Sequence, residues 1–219
     1  MGVFLAVAGN IGSGKSTLTR RLAERLGFSA LYEDTQANPY LSDFYGDMQR
    51  YALPLQLRFL GTRVRQTKEV QAEGIGAIQD RTCYEDAQIF APNLHARGAL
   101  DGRDWDTYQL LSNELLRGLD PPDLLVFLSR SAELCRAQIR NRGRDYEQSM
   151  PAGYLEDLDQ RYQDWFADYR AGPKLKVDGK AYDFLHSAPD LEALVSMIEE
   201  QLPQRMLPFR AESGERGRS

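Results

Sequence analysis

Thiols, imidazoles and long apolar runs are all scarce in this 219-residue chain, and each shortage removes a class of function. Its only two cysteines, Cys83 and Cys135, stand far apart and outside any C-x-x-C spacing, so neither a disulfide framework nor a thiolate zinc site is expected. They read as ordinary reduced thiols. The two histidines, His95 and His186, stand alone, which excludes H-E-x-x-H metal chemistry and argues against a Ser-His-Asp triad. The apolar start MGVFLAVAGN has no basic flank and is too short to span a bilayer, so it reads as a strand. Basic excess is also missing. With 27 Lys and Arg against 32 Asp and Glu, a nucleic-acid polymer is not an expected partner, although a local basic cluster can still serve one anionic ligand. The expectation is a cytoplasmic protein with no membrane partner.

What is present is an alternation of buried strands and amphipathic helices. Residues 3–9, VFLAVAG, form a continuous apolar run of the kind found in parallel strands covered on both faces. The segment STLTRRLAERLG from Ser16 then puts Leu18, Leu22, Ala23 and Leu26 on one helix face, with Gly27 as a stop. Further strands are predicted at 76–80, 123–129 and 175–179, with another just before Glu33. Helices are predicted at 48–73, 104–118, 131–142, 153–170 and 190–202. This order implies an α/β domain with a parallel sheet between helical layers. The domain is expected to span residues 1–205, and the small, charged composition of 206–219 suggests a mobile tail.

Chemistry enters at Gly9-Asn10-Ile11-Gly12-Ser13-Gly14-Lys15-Ser16, followed by Thr17, which satisfies G-x-x-x-x-G-K-[ST] between a strand and a helix. The glycines allow backbone angles that aim successive N–H groups at phosphate oxygens, and the helix N-terminus adds a favourable dipole. Lys15 is expected to neutralise the β and γ phosphates of a nucleotide, with the Ser16 hydroxyl as a Mg²⁺ ligand. No N-K-x-D guanine signature is present, and the chain is small and acidic for a nucleic-acid motor. A small enzyme that moves a phosphoryl group remains.

Downstream stand Leu31-Tyr32-Glu33-Asp34, Asn38-Pro39-Tyr40-Leu41, Phe44-Tyr45, Gln56, Arg63, Asp80-Arg81-Thr82, Tyr84-Glu85-Asp86, Phe90 and Arg142-Gly143-Arg144. In order and spacing, residues 3–200 resemble the deoxyribonucleoside kinase family, most of all its bacterial deoxyadenosine and deoxyguanosine kinase branch. The resemblance implies a P-loop kinase fold: a parallel five-stranded sheet flanked by helices, with a mobile arginine-containing lid, and a homodimer. It implies ATP-dependent phosphorylation of a deoxynucleoside 5′-hydroxyl. By the same resemblance, Glu33 lies beside the acceptor hydroxyl, and Tyr45 and Glu147 read the sugar 3′-hydroxyl. Gln56, Arg63 and Asp86 read the base edge, with Phe90 at the stacking position. Arg142 and Arg144 belong to the lid, and Asp183-Phe184 to the loop around the ATP adenine.

Elementary chemistry supports several of these roles. A primary hydroxyl is a poor nucleophile at neutral pH, so a carboxylate such as Glu33 is needed to orient it and accept its proton. Asp80, at the carboxyl edge of a strand near the P-loop, suits Mg²⁺ or its water, and Arg81 can steady a carboxylate through its forked donors. The expected division is Glu33 as base and Asp80 on the metal. Deoxyadenosine is the expected acceptor. Two alternatives stay open: a nucleoside monophosphate kinase, whose acceptor phosphate Glu33 would repel, and a nucleotide-binding switch without an acceptor. The chain departs from the family at Gln138, where an arginine is common and Arg136 or Arg140 is the candidate replacement, and at Thr82, which replaces serine and keeps the hydroxyl.

Overall fold

A computed structural model describes residues 2–32 and 38–202. Glu33 and the predicted tail at 206–219 therefore lie outside the described residues. Five strands, β1 (Phe4–Ala8), β2 (Ser29–Leu31), β3 (Ala77–Asp80), β4 (Leu124–Ser129) and β5 (Lys174–Asp178), form one sheet in the order β2-β3-β1-β4-β5. Every neighbouring pair is parallel. The glycine-rich turn leaves the carboxyl end of the central strand, β1, and Asp80 ends the adjacent β3, paired with Val7.

The helices are α1 (Lys15–Leu26), α2 (Leu41–Phe44), α3 (Met48–Glu73), α4 (Cys83–Glu85), α5 (Ala91–Ala96), α6 (Gly102–Leu116), α7 (Ala132–Arg142), α8 (Tyr154–Asp168) and α9 (Ala188–Gln201). The sequence period places α3 at its observed bounds. Asp47 starts it by accepting from Arg50 N at 3.1 Å, and Gly74 ends it in the left-handed region. α6 and α9 each begin two residues before the predicted start because Asp101 and Ser187 act as caps for Asp104 N and Asp190 N. Between β3 and α6 the chain folds as α4, a π-helical turn at Asp86–Phe90 and α5, none of which the apolar spacing announces.

Alternation along the buried strands sorts side chains into two cores. Leu5, Val7, Leu124, Val126 and Leu128 face α1 and α9, where they meet Leu18, Leu22, Leu194 and Ile198. Ala6, Ala8, Leu125 and Phe127 belong to the other face, with Leu55, Leu60, Tyr108, Tyr154 and Tyr162 from α3, α6 and α8. Small alanines on β1 leave room on that second face for larger aromatic partners. Cys83 and Cys135 are buried free thiols, as expected; burial pushes Cys83 up to about 12 and Cys135 to about 11.

Candidate active site

The P-loop is a folded cradle. Gly12 has φ +77° and Gly14 has φ +96°, and a Cβ at Gly12 would lie 2.5 Å from the Cys135 carbonyl oxygen, so glycine is required there on both counts. Asn10 braces the turn, its Nδ2 donating to Leu155 O at 2.9 Å and its Oδ1 accepting from Ile11 N at 2.8 Å. Lys15 Nζ donates to Asn10 O at 3.1 Å, which points the ammonium back over the loop. α1 has no acidic residue in its first turn, so its positive pole is left for an anion.

Beside the cradle lies a cavity of about 250 Å³. Ile11, Gly12, Lys15 and Ser16 form its phosphate end, and Tyr45, Gln56, Asp86, Phe90 and Glu147 line the rest together with Asp80, Arg81, Arg142 and Arg144. Tyr45, Gln56, Arg81, Asp86, Phe90 and Glu147, far apart in the chain, are thus brought to one place. Arg63 does not line the cavity and bears on it through Asp86, and Asp183 and Phe184 lie away from it. Asp183 is exposed and accepts from Leu185 N and His186 N. Phe184 is buried in the aliphatic core, its ring 3.6 Å from the position a Cβ would take on Gly14. Phe184 thus lies beside the P-loop at Gly14. Tyr32, the residue before Glu33, lines the cavity.

At the metal end, Ser16 Oγ donates to Asp80 Oδ2. Asp80 Oδ1 is buried and has no hydrogen-bond partner among the described residues. A hydroxyl and a carboxylate with an unused buried oxygen, next to a phosphate cradle, are the donor set that suits Mg²⁺, a hard cation that takes few protein ligands and keeps several waters. No cluster of three or more His, Cys, Asp or Glu that could hold a metal ion occurs among the described residues.

At the base end, Arg63 Nη1 donates to both oxygens of Asp86 at 2.5 Å, and both side chains are buried. That charge-assisted pair keeps Asp86 in place. Gln56 is 3% exposed, and its Oε1 is buried with no partner among the described residues. An unused acceptor in a cavity wall is an energetic liability unless a ligand donor meets it. The π-helical turn carries Asp86 and Phe90 to the cavity together, a common use of that geometry at functional sites. Phe90 has the Arg81 guanidinium 4.2 Å from its centroid.

At the sugar end, Tyr45 stacks on Tyr146 with centroids 6.4 Å apart and meets Tyr154 edge-on at 6.3 Å. Burial, with Tyr154 and Glu147 nearby, raises the Tyr45 phenol well above its ordinary range, so it stays a donor. Glu147 accepts from Arg142 Nη2 at 2.5 Å and lies 3.8 Å from Arg144 Nη1. Arg142 and Arg144 therefore both rest on Glu147. Gln138 is not among the cavity residues, and of its candidate replacements Arg136 is paired with Glu156.

Phe59, Tyr146 and Tyr154 also line the cavity and were not singled out in the sequence. Phe59 was within reach, because Gln56, Phe59 and Arg63 lie three and four residues apart on α3 and so share one face. The Arg63 guanidinium lies 4.9 Å from the Phe59 centroid. Tyr146 and Tyr154 carry no such signal, since they reach the cavity only through the fold of the segment between α7 and α8.

Residues 5–203 match the sequence model of the family described as deoxynucleoside kinase. The chain is 38% identical to the deoxyadenosine/deoxycytidine kinase of Bacillus subtilis, over 89% of this chain and 90% of that protein. It is 36% identical to the deoxyguanosine kinase of Lactobacillus acidophilus, over 91% of each. Among solved structures it is similar to the deoxyadenosine kinase of M. mycoides with bound dATP, with a TM-score of 0.79, 25% identity, and coverage of 90% of this chain and 99% of that one.

Proposed function

Because the chain belongs to the deoxynucleoside kinase family, and is with it an enzyme that phosphorylates the 5′-hydroxyl of deoxynucleosides at the expense of ATP, we propose that its preferred acceptor is deoxyadenosine. The observation that carries this choice is that Gln56 Oε1, a buried acceptor without a partner among the described residues, stands on the same wall as an Asp86 that Arg63 holds as an acceptor. Two acceptors on one wall favour a base that presents an exocyclic amine at that edge. Gln56 can also donate to adenine N7, whereas guanine presents O6 where the amine would be. Deoxycytidine, which also carries an amine, ranks second. The relative from Bacillus subtilis is a deoxyadenosine/deoxycytidine kinase, which supports the same pair.

In this reading Glu33 orients the 5′-hydroxyl and accepts its proton, and Arg81 steadies that end of the acceptor. Tyr45 and Glu147 hold the 3′-hydroxyl, and Phe90 stacks on the base. ATP is the donor, its phosphates on residues 9–17 and its adenine near Asp183 and Phe184. Arg142 and Arg144, both held by Glu147 at the cavity rim, form a mobile lid over the phosphates. Ser16 and Asp80 hold Mg²⁺, which when bound neutralises charge on the transferring phosphates. A homodimer would cover Leu110, 64% exposed on α6. Cytoplasmic location suits this substrate, and no helix among the described residues is long and apolar enough to cross a membrane.

Steady-state kcat/KM for the four natural deoxynucleosides with ATP and Mg²⁺ tests the proposal. Deoxyadenosine is expected to rank first, by about tenfold or more over bases lacking the amine, because a mispaired buried polar group costs about 1–3 kcal/mol. Deoxyguanosine or thymidine ranking first would refute the base assignment and leave the kinase assignment standing.

A further inference from the structure

Glu85 is fully buried, does not line the cavity and has no part in the substrate contacts described above. Its Oε2 accepts from Thr82 N at 2.8 Å and from Thr82 Oγ1 at 3.4 Å, closing a capping box at the start of α4. Its Oε1 accepts from Tyr162 Oη at 2.8 Å. The two oxygens serve different donors, so the side chain must accept at both, which an ionised carboxylate does and a glutamine, with a single acceptor oxygen, does not. A buried carboxylate is costly unless a cation compensates it. The nearest cation is Arg81, whose Nε lies 4.0 Å from Glu85 Oε1; Lys15 adds a weaker attraction.

Arg81 itself is held in an unusual way. With φ +66° it is the only non-glycine among the described residues in the left-handed region, a conformation that persists when the surroundings over-determine it. Its guanidinium faces the Phe90 ring at 4.2 Å. Tyr162, which donates to Glu85, also meets Phe90 edge-on at 6.1 Å and stacks on Phe127 at 5.7 Å. One tyrosine thus fixes both the carboxylate and the ring between which Arg81 is seated.

We infer that Glu85 is a positioning residue for phosphoryl transfer: its carboxylate, oriented by Thr82 and Tyr162, holds the Arg81 guanidinium at the acceptor end of the cavity without touching substrate. The inference rests on Arg81 acting at the acceptor hydroxyl, as proposed above. Its signature is a loss in kcat that depends on Arg81 being present.

A double-mutant cycle reads this directly. Glu85→Gln keeps shape and one acceptor oxygen, with the Tyr162 hydroxyl free to turn and accept from the new amide, and is expected to lower kcat by about tenfold or more while changing the KM for deoxyadenosine by less than about threefold. In an Arg81→Gln background the same change is expected to cost less than about twofold, because residues that act as a unit are non-additive. An equal loss in both backgrounds would overturn the inference, as would a Glu85→Gln variant with unchanged kcat. If Arg81→Gln alone left turnover intact, the reading of Arg81 would fail first, so the two failures are distinguishable. Should Glu85→Gln not fold, Tyr162→Phe replaces it in the cycle, with an expected loss of about threefold that vanishes without Arg81 and with the same overturning outcome.

Discussion

The face of the sheet under α1 and α9 is closed by Leu22, Val126, Leu194, Val195 and Ile198, whereas the face under α3, α6 and α8 mixes Phe127, Tyr108 and Tyr162 with the buried Gln56, Arg63, Glu85 and Asp86. The same five strands serve both. Aliphatic packing needs only volume and shape, and it stabilises without specifying any ligand. Buried polar groups are useful only if every one finds a partner at fixed geometry, and some of these, such as Gln56 Oε1, find none among the described residues. The aliphatic face therefore acts as the foundation, and the polar face acts as a site whose wall a substrate completes. The P-loop stands where the two meet, at the carboxyl edge of β1.

The comparison breaks most visibly at the P-loop. Lys15→Ala removes a phosphate counter-charge and one hydrogen bond to Asn10 O, so turnover is expected to fall below about one-thousandth while the variant still folds cooperatively. Near-normal turnover in the folded variant would contradict the cradle. Glu33→Gln keeps shape but loses the proton acceptor, and kcat is expected to drop by about 10²-fold with nucleoside binding retained, as single-turnover rates and equilibrium titration would report. Asp80→Asn should instead raise the Mg²⁺ requirement. Rescue of the Glu33 variant, and not the Asp80 variant, by excess Mg²⁺ would reverse the two roles.

On the aliphatic face the expected pattern is the opposite. Leu194→Ala empties part of a dry core and is expected to cost about 2–4 kcal/mol in denaturant unfolding, with kcat per folded molecule unchanged. A comparable loss of kcat without loss of stability would mean that this face takes part in the chemistry. The smallest effect is at the base: Gln56→Leu is expected to raise KM for deoxyadenosine by about tenfold and to narrow its lead over thymidine, with kcat little changed.

Much of this was legible in the residues. Lys15, Ser16 and their glycines declared the cradle because a phosphate site at a strand-to-helix turn depends on local spacing alone. α3 was readable from its long periodic segment, and the structure shows that Asp47 and Gly74 set its bounds. The polar residues of the cavity were found by resemblance, whereas no periodicity marks Gln56 as different from an ordinary core amide. The segment from Cys83 to Ala96 was missed because its helix is interrupted by a π turn, which shifts the register that an apolar pattern would follow. Glu85 stood in the motif without a role for a related reason. Its importance lies in a hydrogen bond to Tyr162, far along the chain, and in the left-handed backbone of Arg81, neither of which a sequence displays.

Amide hydrogen exchange, measured with and without saturating deoxyadenosine, tests the division of labour between the two faces most directly. The account predicts slowed exchange in residues 45–63, 80–90 and 145–154, which carry the polar wall, and unchanged exchange in α9. Protection confined to α9 and β5, with the polar wall unaffected, would contradict it.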